Sequence, residues 1–238
     1  MKQEIIRIDL SGVNCYLGKE NDNFILFDTG GHLFFDKKFN NRREAVEKEL
    51  ERHGCNTNNL RLIVLTHGDN DHVANASYFR KKYNTNIAMH PADEILVNNP
   101  EIENLMENCH YHSVLFKVVF LFMKRLIKKI VIKTLEDYDS FRPDILIDEG
   151  FDLSEFGFHA KVIHIPGHTR GSIGIITEMG DLISGDTFAN TGKLEIAPNA
   201  YNFKELIKSI KRIKSLNRKT IYPGHGDPFN SALLNNLK

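Results

Sequence analysis

The chain has few thiols: Cys15, Cys55 and Cys109 are its only cysteines among 238 residues. They are odd in number, widely spaced and without a C-x-x-C pair, which argues against both a disulfide framework and a thiolate zinc site. An excess of charge is also missing. Lys plus Arg and Asp plus Glu stand at 31 each, so no overall field draws nucleic acid or an anionic membrane, and no nucleic-acid partner is expected. Long apolar runs are absent too. The longest, Val114 to Phe116 and Val118 to Met123, is broken by Lys117 and followed by Lys124 and Arg125, too short and too charged to span a bilayer. Lys2, Glu4, Arg7 and Asp9 leave no apolar stretch for a signal peptide, which makes the cytoplasm the expected location. Two catalytic signatures are lacking as well: there is no G-x-S-x-G elbow, and the segment from Gly167 to Ser172 has neither the spacing nor the lysine of a phosphate-binding loop.

The length suits one domain, 1–238, with one sizeable core. Ile5 to Leu10, Val13 to Leu17 and Phe24 to Phe27 read as antiparallel strands joined by Gly and Asn turns. A helical pattern from Asn41 to His53 closes at Gly54, and Leu60 to Leu65 reads as a buried strand. A helix from His72 to Tyr83, a strand at Asn86 to Met89 and a short helix from Pro91 continue the alternation, which implies helices covering a sheet. Strands return at Ile145 to Ile147, Ala160 to Ile165, Ile173 to Thr177 and Leu182 to Ser184, followed by a helix at Asn202 to Leu216 and a strand at Thr220 to Tyr222. Residues 100–140 interrupt this rhythm with one long helical stretch, Tyr111 to Tyr138, and read as an insertion.

The densest chemical signal is Thr66-His67-Gly68-Asp69-Asn70-Asp71-His72, four potential metal ligands in six residues directly after an apolar strand. Imidazole nitrogen and carboxylate oxygen suit Zn²⁺, Mn²⁺ or Fe²⁺ better than thiolate-seeking metals. On its own the run also reads as a turn, since Gly, Asp and Asn are turn formers. A calcium loop fails, because counting from Asp69 the fifth and sixth places hold Val73 and Ala74 rather than acid and glycine. Three further groups share the same setting, beside glycine at the end of an apolar strand: His168 in Pro166-Gly167-His168-Thr169, Asp186 in Gly185-Asp186-Thr187, and His225 in Pro223-Gly224-His225-Gly226. Each alone is weak. Together they place every donor on one edge of a sheet, where glycine allows close backbone approach.

In these residues the chain resembles the metallo-β-lactamase superfamily, whose motif is His-x-His-x-Asp-His followed by a His, an Asp and a final His. The likeness runs from Asp28-Thr29-Gly30 to Pro223-Gly224-His225, nearly the whole chain apart from the insertion. It implies an α/β fold, an αββα sandwich of two mixed sheets flanked by helices, and two divalent metal ions. His67, Asp69 and His168 would hold the first ion, Asp71, His72 and His225 the second, and Asp186 would bridge them. Asp28 matches a carboxylate that supports a ligating histidine, and reads equally as a turn residue before Thr29-Gly30. The chain departs from the motif at Asp69, where the second histidine is usual. Zinc is the expected metal, and the harder oxygen ligand brings Fe or Mn into reach. Flavodiiron proteins of the same superfamily place a Glu there and bind two irons. The other consequence of the shorter side chain would be a first site that is weak or empty.

The resemblance implies hydrolysis by a metal-bound hydroxide, with Asp71 orienting it or receiving its proton. The Pro-Gly-His-Thr and Gly-Asp-Thr turns are most similar to those of glyoxalase II and lactonase-like hydrolases, so a small-molecule ester, thioester or lactone is the expected substrate. With 13 residues after His225, no counterpart of the longer C-terminal region of glyoxalase II is expected. Substrate choice is expected to lie with the insertion, whose face of Val114, Phe116, Val118, Phe122, Leu126 and Ile130 either lines an apolar pocket or packs on the core or a second copy in a homodimer. Lys124, Arg125, Lys128, Lys129 and Lys133 offer an anion or membrane-surface contact, and His110 and His112 read as incidental. Phosphodiester cleavage, di-iron redox chemistry and a non-catalytic metal-stabilised binding protein remain the competing functions.

Overall fold

Alternating β-branched and aromatic residues build three strands, β1 (Gln3–Asp9), β2 (Asn14–Glu20) and β3 (Asn23–Phe27), paired antiparallel in sequence order. The structure, a computed structural model, describes residues 3–33, 36, 40–107, 110–111 and 113–237. Lys2, Cys109, His112 and the side chains of Val114, Phe116 and Lys117 lie outside the described residues.

After α1 (Arg43–Arg52), β4 (Leu60–Val64) lies parallel to β3. Two short helices follow, α2 (Asn70–Val73) and α3 (Ala76–Tyr83), where the sequence pattern suggests one. The break falls at Asn75, whose amide donates to the carbonyls of Thr29 at 3.0 Å and Asn41 at 2.7 Å and so ties the helix start to two other loops. β5 (Ile87–Met89), α4 (Glu94–Asn98), α5 (Ile102–Glu107), β6 (His110–Tyr111), α6 (Val114–Thr134) and β7 (Ile145–Leu146) complete the first half. The first sheet has the order β1-β2-β3-β4-β5-β7 and is parallel from β3 onward.

The second sheet gathers β8 (Ala160–His164), β9 (Ile173–Thr177), β10 (Leu182–Asn190) and β11 (Leu194–Ile196). After β12 (Asn199–Ala200), which pairs with β6, and α7 (Phe203–Ser215), it closes with β13 (Thr220–Gly226) and β14 (Phe229–Asn230). Its order is β14-β13-β10-β9-β8, with β11 beside β10.

The strand period of two separates the layers. In β3, Ile25 and Phe27 face the second sheet and meet Val162, Ile173, Ile175 and Ile183, whereas Phe24 and Leu26 face outward against Val46 and Leu50 of α1 and Phe79 of α3. Ile163 and Leu182 on the far side of the second sheet pack on Leu206, Ile210 and Ile213 of α7. The layers are helix, sheet, sheet, helix, the αββα sandwich the resemblance implied.

Three expectations need correction. The long helix is α6 alone, shorter than Tyr111 to Tyr138, because Tyr111 is in strand β6, paired with Asn199. The strands expected to stop at Ser184 and Tyr222 run on to Asn190 and Gly226. Asp186 and His225 therefore lie within strands, at the point where β10 and β13 lose register between Gly185 and Ala189. The apolar face assigned to the long helix is also misplaced: Val118, Phe122 and Leu126 are exposed, Phe122 by 83%. Of the residues named for that face whose side chains are described, Ile130 alone reaches the cavity beside the site, together with Val119, Phe120, Met123, Ile127 and Val131. α6 carries apolar residues on two sides, so periodicity could not select between them.

Candidate metal centre

The loop after β4 is set by Asp28, which sits just past β3 with a left-handed φ of 60°. Its carboxylate accepts the Thr66 amide and the Thr66 hydroxyl, each at 2.8 Å, and faces His72 Nδ1 at 3.0 Å. Both readings of Asp28 hold at once, as turn residue and as support for a histidine. Asp69 stands at the N-terminus of α2, where Asp commonly caps, yet makes no side-chain cap bond. Its carboxylate turns instead to His168 Nε2, 3.0 Å away.

The His168 loop is held from two sides. Gly167, with φ of 139°, lies so close to Leu206 at the start of α7 that a Cβ would collide with the Leu206 backbone. From the other side, Asp93 accepts the Gly68 amide at 2.9 Å, the Gly171 amide at 2.6 Å and the Thr169 hydroxyl at 2.6 Å, and so joins the His67 loop to the His168 loop. Burial raises Asp93 to about 6 against the pull of these donors. The His225 turn is fixed by β2: Asn14 donates to the carbonyls of Pro223 and Gly226, and the Tyr16 hydroxyl donates to Pro223.

All four histidines are oriented through Nδ1. His67 faces the Thr66 hydroxyl, His72 Asp28, His168 the Asn199 carbonyl and His225 the Gly12 carbonyl. Since Thr66 gives its own proton to Asp28, each Nδ1 has an acceptor before it, and each Nε2 is left to point inward.

The seven predicted donors meet at one place. His67 Nε2 lies 4.0 Å from Asp69 Oδ2 and 4.0 Å from Asp186 Oδ2, and His168 Nε2 lies 3.7 Å from Asp186 Oδ2. On the other side, His72 Nε2 is 4.0 Å from Asp71 and 3.4 Å from His225 Nε2, while His225 Nε2 is 3.6 Å from Asp71 and 3.0 Å from Asp186 Oδ2. Donors at about 2.1 Å around a tetrahedral cation stand about 3.4 Å apart, so two groups of this spacing sharing Asp186 fit two divalent ions. Asp69 Oδ2 stands within the first group, 4.0 Å from His67 Nε2 and 3.0 Å from His168 Nε2.

Further observations match that fit. His67 Nε2 and Asp186 Oδ1 are buried without a hydrogen-bond partner, although His72 Nε2 sits 3.2 Å from the latter. Gly224 leaves the space a Cβ would take from Asp186 and His72. Burial, then the neighbouring His72, lowers His67 to about 4, so it offers a free lone pair at neutral pH. Burial opposes ionisation of Asp69 and Asp186, yet the charges of His168 and of His225 and His72 outweigh it, and both carboxyls are held low, Asp69 at about 2.

A cavity of about 530 Å³ opens over this cluster, lined by Asp69, Asp71, His168, Asp186 and His225 at one end and by α6 on the side. Sequence reasoning missed Asp93, Asn199 and Gly12, none of which carries a motif. It also missed a second cluster, His90, Asp148 and His164. There His90 Nδ1 accepts the Ala92 amide, which leaves Nε2 to donate to Asp148 at 3.1 Å. His164 Nε2 donates to the Arg170 carbonyl. These bonds account for the grouping as structure.

The four-layer sandwich brings imidazoles and carboxylates together at one edge. A sequence model of the metallo-beta-lactamase superfamily matches residues 8–225, and the chain belongs to that superfamily. It is 27% identical over 231 residues to hydroxyacylglutathione hydrolase GloC of Haemophilus influenzae, covering 95% of this chain and 91% of that protein. A probable metallo-hydrolase of Methanocaldococcus jannaschii is 29% identical over 225 residues, covering 90% and 87%. Among solved structures, a metallo-beta-lactamase family protein of Thermus thermophilus superposes with a TM-score of 0.67 at 18% identity, over 96% of this chain and 75% of that one. TTHA1623 in a di-iron-bound form superposes at 0.61 with 22% identity, over 97% and 96%. No helix among the described residues is long and apolar enough to cross a membrane.

Proposed function

We propose that this chain hydrolyses an ester, thioester or lactone of a small molecule at a centre of two divalent cations. The observation that carries the reading is the convergence of seven donor side chains, 3.0 to 4.0 Å apart, at the end of one cavity. His67, Asp69 and His168 would hold one ion and Asp71, His72 and His225 the other, with Asp186 available to either. When bound, such a pair acidifies a water and polarises the oxygen under attack. Asp71 is partly open to the cavity and orients that water or takes its proton at a carboxylate oxygen. His67, His72 and His168, nearly fully buried, keep solvent from the back of the centre. Thioester cleavage is supported by the likeness to hydroxyacylglutathione hydrolases.

The test loads the protein with zinc, iron or manganese, counts metals per chain, and assays thioesters, lactones, aryl esters and bis-p-nitrophenyl phosphate. Two metals per chain and carbonyl substrates cleaved in preference to the phosphodiester are expected. Fewer than one metal per chain, or phosphodiester cleavage well above the rest, overturns the reading.

A further inference from the structure

Two groups of opposite character line the cavity. One is the polar donor cluster. The other is a wall of Leu105, Val119, Phe120, Met123, Ile127 and Ile130, contributed by α5 and α6. No lysine or arginine is among the described residues that line it. The described cations of α6 lie elsewhere: Lys124, Arg125, Lys129 and Lys133 are exposed, and Lys128 pairs with Glu103 at 3.6 Å. A substrate portion carrying carboxylates or phosphates would meet no counter-charge among the described residues of this wall and would lose its hydration there. An aliphatic chain entering it would bury its surface favourably, and the volume lies within the range of small-molecule sites.

From this we infer that the acyl half of the substrate is an unsubstituted aliphatic chain of medium length, lying along the inner face of α6 with its carbonyl at the donor cluster. The inference rests on the hydrolase reading and narrows it to acyl thioesters or esters whose thiol or alcohol part stays off the apolar wall. The chain thereby differs in substrate from the hydroxyacylglutathione hydrolases it is similar to, whose named substrate joins a hydroxyacyl group to the charged peptide glutathione. Fully burying a methylene is worth roughly a fourfold gain in binding, so four methylenes give a gain on the order of a hundredfold.

The experiment compares thioesters of one thiol with acetyl, butanoyl, hexanoyl and octanoyl groups, beside S-lactoylglutathione, on the metal-loaded protein. Calorimetry measures binding of octanoate against acetate independently of turnover. The expected result is kcat/KM rising on the order of a hundredfold from acetyl to hexanoyl, mostly through KM, with octanoate binding more tightly than acetate. Ile127→Trp fills the wall and lowers octanoyl kcat/KM at least about tenfold, more than acetyl. Phe122→Ser, on the outer side of α6, alters neither. A flat or falling chain-length series, or S-lactoylglutathione as the preferred substrate, overturns the inference and leaves the hydrolase reading standing. If no carbonyl substrate is cleaved, the hydrolase reading falls, and equal binding of octanoate and acetate then removes the acyl seat as well.

Discussion

Asp28 Oδ2 lies 3.0 Å from His72 Nδ1 while also taking the Thr66 hydroxyl at 2.8 Å. One buried carboxylate oxygen thus orients a proposed ligand of the second ion directly and, through Thr66, His67 at the first. Asn tolerates the left-handed backbone of this position, so Asp28→Asn keeps the fold but substitutes a donor for one acceptor. Metal affinity, measured by competition with a chelating dye, should fall about 10- to 100-fold. Unchanged affinity would show that Asp28 serves the turn alone.

The metal-free centre carries its own pH signature. Burial acts to lower His168 and His225, but Asp69 and Asp186 respectively outweigh it, and both rise to about 9. Since both stand above the unfolded value of about 6.5, the native chain keeps protons that the unfolded chain releases. Their contribution is complete below pH 6.5 and disappears as pH rises through 9. Tm of chelated protein should therefore drop between pH 6.5 and pH 9, and a Tm that stays level or climbs across that window contradicts the assigned pairings.

Asp69 sits where the superfamily motif usually has histidine. Its carboxylate hardens the proposed first site, so Asp69→His should shift competitive loading from iron or manganese toward zinc, read as the metal ratio by mass spectrometry after incubation with equimolar ions. An unaltered ratio would mean that Asp69 does not touch the metal.

Much of this molecule is legible in its residues, and the boundary follows physical range. The run from His67 to His72, the glycine-flanked His168, Asp186 and His225, and the period-two strands are local signals, and all seven donors converge in the folded chain. The inner face of α6 was not legible, since Val118, Phe122 and Leu126 repeat at helical spacing as regularly as Val119, Met123 and Ile127. The break at Asn75 depends on carbonyls of Thr29 and Asn41, far away in the chain. Asp93, the Asn199 carbonyl and the Gly12 carbonyl act through contacts between loops that only folding brings together, and no residue pattern announces them.

Asp93 ties Gly68, in the first half of the chain, to Thr169 and Gly171 in the second. The two halves consequently share a keystone, and the His67 and His168 loops are held in register with each other through its carboxylate. Ions would then be captured by a finished cage rather than used to gather loose strands, and this chain should fold before it is charged with metal.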